Sequence, residues 1–273
     1  VLFEALRDSV RYPAIWLAGA GYAAFDAVQL VLSLQGETFF SVRFLAIEYL
    51  LLPFLLAGAY GVLRERQSSV RLLAREGVKN YFRVLLPGIV VAFGAALALV
   101  LVLVPLSLLG FEPTTDLAAG AALAVLIPVL FFSALYDTVA CSEGLGVFAS
   151  LRRSFALVLA HIWEVLVFVL TTLAVLLGLG FVILVAWTTL LFDRLEPLAS
   201  LPASELATFG PSQLAAMIGT SGLALTALLY AVFILVSFVL VTTYKARLYR
   251  SVADATPTEP QGVYDEKGRY YRY

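Results

Sequence analysis

The sequence predicts an all-α integral membrane protein. Six transmembrane helices are arranged as three repeated helical hairpins, each preceded by an amphipathic helix at the cytoplasmic interface. Three observations carry this prediction. First, 62% of the 273 residues are hydrophobic and mean hydropathy is +0.95; an ordinary soluble domain is about 45–50% apolar. The excess lies in runs such as 84–109 and 165–191, long enough to match a bilayer core and lacking the polar stripe of a soluble helix. Second, the basic residues divide unequally between alternate loops. Third, a basic amphipathic motif recurs before every second span.

The spans fall at about 13–33, 44–62, 84–109, 118–140, 164–191 and 214–243. The first two are separated by Gln35, Gly36, Glu37 and Thr38, and the third and fourth by 111–116. The fifth and sixth are separated by a longer loop, 192–213, with Pro197, Pro202 and Pro211. These three loops hold only Arg43 and Arg194. The other side holds Arg7, Arg11, Arg64, Arg66, Arg71, Arg75, Lys79, Arg83, Arg152, Arg153, Lys245, Arg247, Arg250, Lys267, Arg269 and Arg272. Basic residues near span ends are retained in the cytoplasm, so both termini are expected there, in a multi-pass protein of the plasma membrane. Glu4 and Asp8, with no small-residue cleavage site, predict that the opening segment is not a signal peptide.

The repeat is read from three segments. Residues 5–11 (ALRDSVR) align with 73–79 (LAREGVK), and 150–155 (SLRRSF) form a looser third copy. Leu2, Phe3, Leu6 and Val10 share one helical face, as do Val70, Leu73, Gly77, Val78 and Tyr81. Val147, Phe148, Leu151, Phe155 and Val158 make the third. Such helices lie in the headgroup layer, apolar side down. The units are about 1–68, 69–145 and 146–250. Pro53 and Pro128 fall at similar depth in spans two and four. Ala18, Gly19, Ala20 and Gly21 in span one predict close helix packing.

Residues 251–273 form a polar cytoplasmic tail. A linker around 255–260 leads to a short hairpin turning at 265–268.

Asp26 is a carboxylate within span one. Tyr22, Gln29 and Ser33 share its face, and Glu48 lies early in span two. A carboxylate at that depth faces the bundle interior or water. Two roles fit: a cation or proton site using Tyr22, Asp26, Gln29 and Glu48, or a polar anchor in which Asp26 pairs with Arg43 or accepts a tyrosine hydrogen bond. Arg7, Arg11, Arg71, Arg75, Lys79, Arg152 and Arg153 form a candidate surface for lipid or a partner. Asp137, Glu143 and Glu164 are expected to make interfacial salt bridges with Arg152 and Arg153. His161 beside Trp163 reads as an interfacial anchor.

Other chemistry is not signalled. Cys141 is the sole cysteine and His161 the sole histidine, too few for the usual metal spacings. No serine has a base at a motif spacing, and no phosphate-binding loop occurs. The expected catalytic, cofactor and metal sites are therefore none. Net charge is −1, so nucleic acid is not an expected partner. The expected partners are the bilayer, its anionic headgroups on the cytoplasmic face, and a protein subunit or a second copy of the chain. The residues 140–144 (ACSEG), 149–155 (ASLRRSF) and 161–163 (HIW), the last leading into an apolar run, carry a family resemblance. The chain resembles prokaryotic and archaeal six-span membrane proteins similar to the membrane domain of bacterial glycerophosphoryl diester phosphodiesterases. That resemblance implies no catalytic residue here, because the chain has no phosphodiesterase domain. The function expected is a non-catalytic accessory or scaffold subunit that binds a partner or organises lipid. The alternative is a small-solute or ion transporter using Asp26 and Glu48.

Overall fold

Helix follows wherever the apolar runs lie. The computed structural model describes residues 2–108, 115–199, 202, 205, 208–255 and the backbone of 263–264 and 270–271. Among these, the helices in chain order are α1 (Leu2–Arg11), α2 (Pro13–Leu34), α3 (Thr38–Glu65), α4 (Val70–Leu108) and α5 (Thr115–Phe132), then α6 (Tyr136–Glu143), α7 (Val147–Ala160), α8 (Ile162–Leu190), α9 (Phe192–Ala199) and α10 (Pro211–Ala255). Two short strands, β1 (Val263–Tyr264) and β2 (Tyr270–Tyr271), pair antiparallel with Val263 opposite Tyr271. The turn expected at 265–268 lies outside the described residues.

Six helical stretches are long and apolar enough to cross a membrane: α2, α3, α4, α5 with α6, α8 and α10. The chain is therefore a multi-pass α-helical membrane protein. Helices α2, α3 and α10 pack on one another; α4 packs on α3, α5 on α4, and α8 on α10. At the basic end α6 and α7 link α5 to α8 and α10, around Leu135, Val139, Leu157, Val165 and Tyr244. In the most apolar stretch of α2 and α3, 28% and 22% of residues are buried, against 6% for α4, for α5–α6 and for α8. The outer helices therefore expose apolar side chains on most sides, which is stable only in a lipid solvent.

Three boundaries depart from the sequence expectation. The segment before span three was expected as a separate interfacial helix, but α4 runs unbroken from Val70 to Leu108. Its first three turns lie along α3 rather than bending onto the bilayer, because glycines let the backbones meet. A Cβ at Gly58 would stand 2.5 Å from the Leu73 carbonyl oxygen, and one at Gly61 would stand 2.4 Å from the Glu76 Cβ. One at Gly77 would stand 2.7 Å from the Phe54 ring. Small residues permit this approach where no large hydrophobic driving force exists between helices.

The second departure is a break in span four at residues 133–135. The freed backbone groups find a partner in α7. The Ser154 hydroxyl accepts from the Leu135 N–H at 3.2 Å and donates to the Phe132 carbonyl at 3.0 Å. Ser154 is fully buried, so the bridge satisfies groups that would be costly unpaired inside a membrane. The third departure is at α10. The predicted 192–213 loop holds helix α9, and α10 begins at Pro211 and runs to Ala255, past the expected end near 243. Gly219 interrupts it with φ 68°, a conformation that glycine adopts without penalty. Arg194 secures this break, donating to the Ile218 carbonyl and, at 2.8 Å, to Ser221 Oγ.

Candidate functional site

The small residues of α2 bring α10 close. A Cβ at Gly19 would lie 2.9 Å from a Leu235 methyl, and the Tyr22 and Phe238 rings stand 5.8 Å apart. That approach carries Tyr230 to Asp26, whose Oδ2 accepts the phenol O–H at 3.2 Å. Of the two anchors open for Asp26, the tyrosine is the one found. Arg43 turns away, lying 3.2 Å over the Phe39 ring and donating to the Phe39 carbonyl at 2.9 Å.

Glu48 faces the same interior from α3. It is 6% exposed, Asp26 is 9% exposed, and the Tyr22 hydroxyl lies beside the Glu48 carboxyl. Glu48 Oε2 is buried with no hydrogen-bond partner. One turn nearer the helix ends, Gln29 Nε2 donates to Ser41 Oγ at 3.1 Å. The structure thus brings together all four residues named from sequence, Tyr22, Asp26, Gln29 and Glu48, along one α2–α3 seam. Asp26 stands eight residues from the end of α2 and Glu48 ten from the start of α3. At ~1.5 Å per residue both lie about 12–15 Å below that end of the bundle, near the middle of a bilayer core. On the other side of the pair the seam is apolar and closed: Ile15, Ala18, Leu55, Ala59 and Phe238 are all buried.

Sequence reading missed Tyr230. Its only signal was a polar group inside span six at matched depth, and the partner is 204 residues away in the chain.

The opposite, basic end is built differently. Its buried acids are paired. Asp8 (4% exposed) meets Arg247 at 2.5 Å, Glu76 (2%) meets Arg64 at 2.8 Å, and Asp137 (3%) meets Lys245 at 2.7 Å. Tyr60 adds a 3.0 Å hydrogen bond to Asp137. Glu143 pairs with Arg153 at 3.2 Å and accepts from Tyr249 at 2.9 Å. Of the salt bridges expected here, Glu143–Arg153 forms. Asp137 instead finds Lys245, because α6 turns it toward α10, and Glu164 lies 3.5 Å from His161.

Of the candidate surface residues, Arg7, Arg11, Arg71, Arg75, Lys79 and Arg152 are exposed. Arg153 is not part of that surface. Its side chain is only 12% exposed, because it is drawn inward by Glu143. The apolar faces also shift. Leu73, Gly77 and Val158, expected toward lipid, are buried against the protein. Exposed apolar residues beside the cations include Phe3, Leu6, Val10, Val70, Val78, Phe82, Phe148 and Phe155, with Phe3 85% and Phe148 75% exposed.

These features define an integral membrane protein with an acidic, tyrosine-lined interior and a cationic rim. No protein family, curated protein or solved structure matches the chain.

Proposed function

We propose that the chain is a non-catalytic subunit of the plasma membrane that gathers anionic lipid at its cytoplasmic face, through three copies of one helical unit. One observation carries the reading. At corresponding positions of the three basic segments the same pattern of exposure recurs. Ala5, Leu73 and Ser150 are buried, as are Ser9, Gly77 and Ser154. Arg7, Arg75 and Arg152 are exposed, as are Val10, Val78 and Phe155. Each segment therefore presents an apolar side chain and a cation together while turning the same two positions against the bundle. An apolar group rests at the acyl boundary and a cation beside it reaches phosphate. Each Lys or Arg near an anionic leaflet is worth about 1 kcal/mol at moderate ionic strength, so six exposed cations around one rim select lipid by charge. The arginine-rich loops support an orientation with both termini in the cytoplasm.

Transport through Asp26 and Glu48 is the less supported reading, because the buried apolar seam leaves the pair without a second outlet.

The test is lipid retention. Purified in nanodiscs made from equal phosphatidylglycerol and phosphatidylcholine, the protein is expected to keep phosphatidylglycerol in excess, measured by native mass spectrometry. Replacing Arg75, Lys79 and Arg152 together by glutamine should remove the excess at unchanged helical content. An unchanged lipid ratio sinks the proposal, and a stoichiometric protein partner that depends on these residues would favour the subunit-docking reading. Topology is checked in intact cells with single cysteines: Gln67→Cys is expected to be protected from an impermeant maleimide and Glu37→Cys to react. The reverse pattern inverts the orientation.

A further inference from the structure

Burying one carboxylate in a membrane costs several kcal/mol unless a cation compensates it. The seam between α2 and α3 buries two. Among the described residues the ion pairs gather at the basic end, and none includes Asp26 or Glu48. The groups facing the pair are Tyr22 from α2 and Tyr230 from α10, both neutral donors, while the nearest cation along α3, Arg43, is held outward on Phe39. Two anions so placed repel each other in a medium that screens poorly.

The hydrogen bonds say which carboxyl relieves this. Asp26 Oδ2 accepts from Tyr230, which suits a carboxylate. Glu48 likewise accepts from Tyr22, but its Oε2 is left buried with no hydrogen-bond partner. A bare buried carboxylate oxygen is expensive, and protonation relieves it by removing the charge. The geometry points to Asp26 and Glu48 as one proton-binding site: a carboxyl pair that holds a single proton, carried on Glu48, and exchanges it with the face opposite the termini. Toward that face the seam carries Gln29 bonded to Ser41, with Ser33 exposed a turn beyond. On the other side the buried Ile15, Leu55 and Phe238 close it. Loading moves one proton from water to the carboxylate and makes or breaks no other covalent bond. The inference is independent of the lipid proposal, since it uses no residue of the rim.

Infrared difference spectroscopy of the protein in nanodiscs tests it. At neutral pH the wild type should show the C=O stretch of one buried protonated carboxyl. Glu48→Gln should lose that band. Asp26→Asn removes the neighbouring anion, so the band should persist at low pH and titrate away at a lower pH than in the wild type. Ser41→Ala should slow the band's shift on transfer to D2O. The inference is overturned by any of the following: no such band at neutral pH, a band that survives Glu48→Gln, or exchange unaffected by Ser41→Ala. Loss of the band on adding sodium at fixed pH also overturns it, because the same oxygens would then be holding a metal ion. Circular dichroism of each variant separates these outcomes from unfolding.

Discussion

Gly61→Val is expected to prevent the α3–α4 pair from forming, while Gly120→Val leaves the protein unchanged. Both glycines lie in predicted spans of similar composition, so the contrast isolates packing from hydropathy. At Gly61 even the first added carbon would overlap the Glu76 side chain at 2.4 Å, and Glu76 cannot swing aside without breaking its 2.8 Å pair with Arg64. At Gly120 nothing lies within 4 Å of the same carbon. Overpacking a tight contact costs about 1–3 kcal/mol where neighbours can yield, and here the neighbour is a buried ion. Gly61→Ala should show the lower end of that range and Gly61→Val should exceed it. Thermal unfolding in detergent, followed by the helical signal, reads the difference. Equal melting temperatures for Gly61→Val and the wild type would refute the close approach of the two helices.

Lys245→Met is the second large effect. It removes the cation from Asp137, which is 3% exposed and holds no other basic partner among the described ion pairs. A buried charge stripped of its partner destabilises by about 3–5 kcal/mol. The Tyr60 hydrogen bond at 3.0 Å and the Thr138 N–H at 2.8 Å soften that loss without cancelling it. The double variant Lys245→Met with Asp137→Leu should recover most of the stability, because apolar residues of similar volume replace a buried pair at little cost. Failure of the double variant to recover would mean that Asp137 acts mainly through Tyr60 and the α6 backbone. A double-mutant cycle on unfolding midpoints measures the coupling directly.

The two ends of the molecule differed in how much of them could be read in advance. Asp26, Glu48, Tyr22 and Gln29 were legible because a polar side chain stands out in an apolar run, and helical spacing alone puts three of them on one face. Their sixth-span partner was not, since nothing local marks Tyr230 as facing Asp26 rather than lipid. At the basic end the charges were legible but their pairing was not. Arg152 and Arg153 are neighbours with the same chemistry, yet one is exposed and the other meets Glu143. Which of two adjacent arginines turns inward depends on where α7 sits against α6. The unbroken α4 was missed for a related reason. Periodicity locates an amphipathic face but does not say whether lipid or another helix covers it, and Gly58, Gly61 and Gly77 decided for the helix.

Composition and order alone determined that this chain carries six segments long and apolar enough to cross a bilayer, because apolar run length is matched to membrane thickness without reference to any neighbour. The sequence also located the buried carboxylates and the basic rim. Tertiary structure decided how the spans group around α2, α3 and α10, that Tyr230 closes the acidic seam, and which charges are neutralised. Those outcomes depend on contacts tens to hundreds of residues apart, and in a membrane they are chosen by fit between small residues and by pairing of polar groups, neither of which hydropathy records.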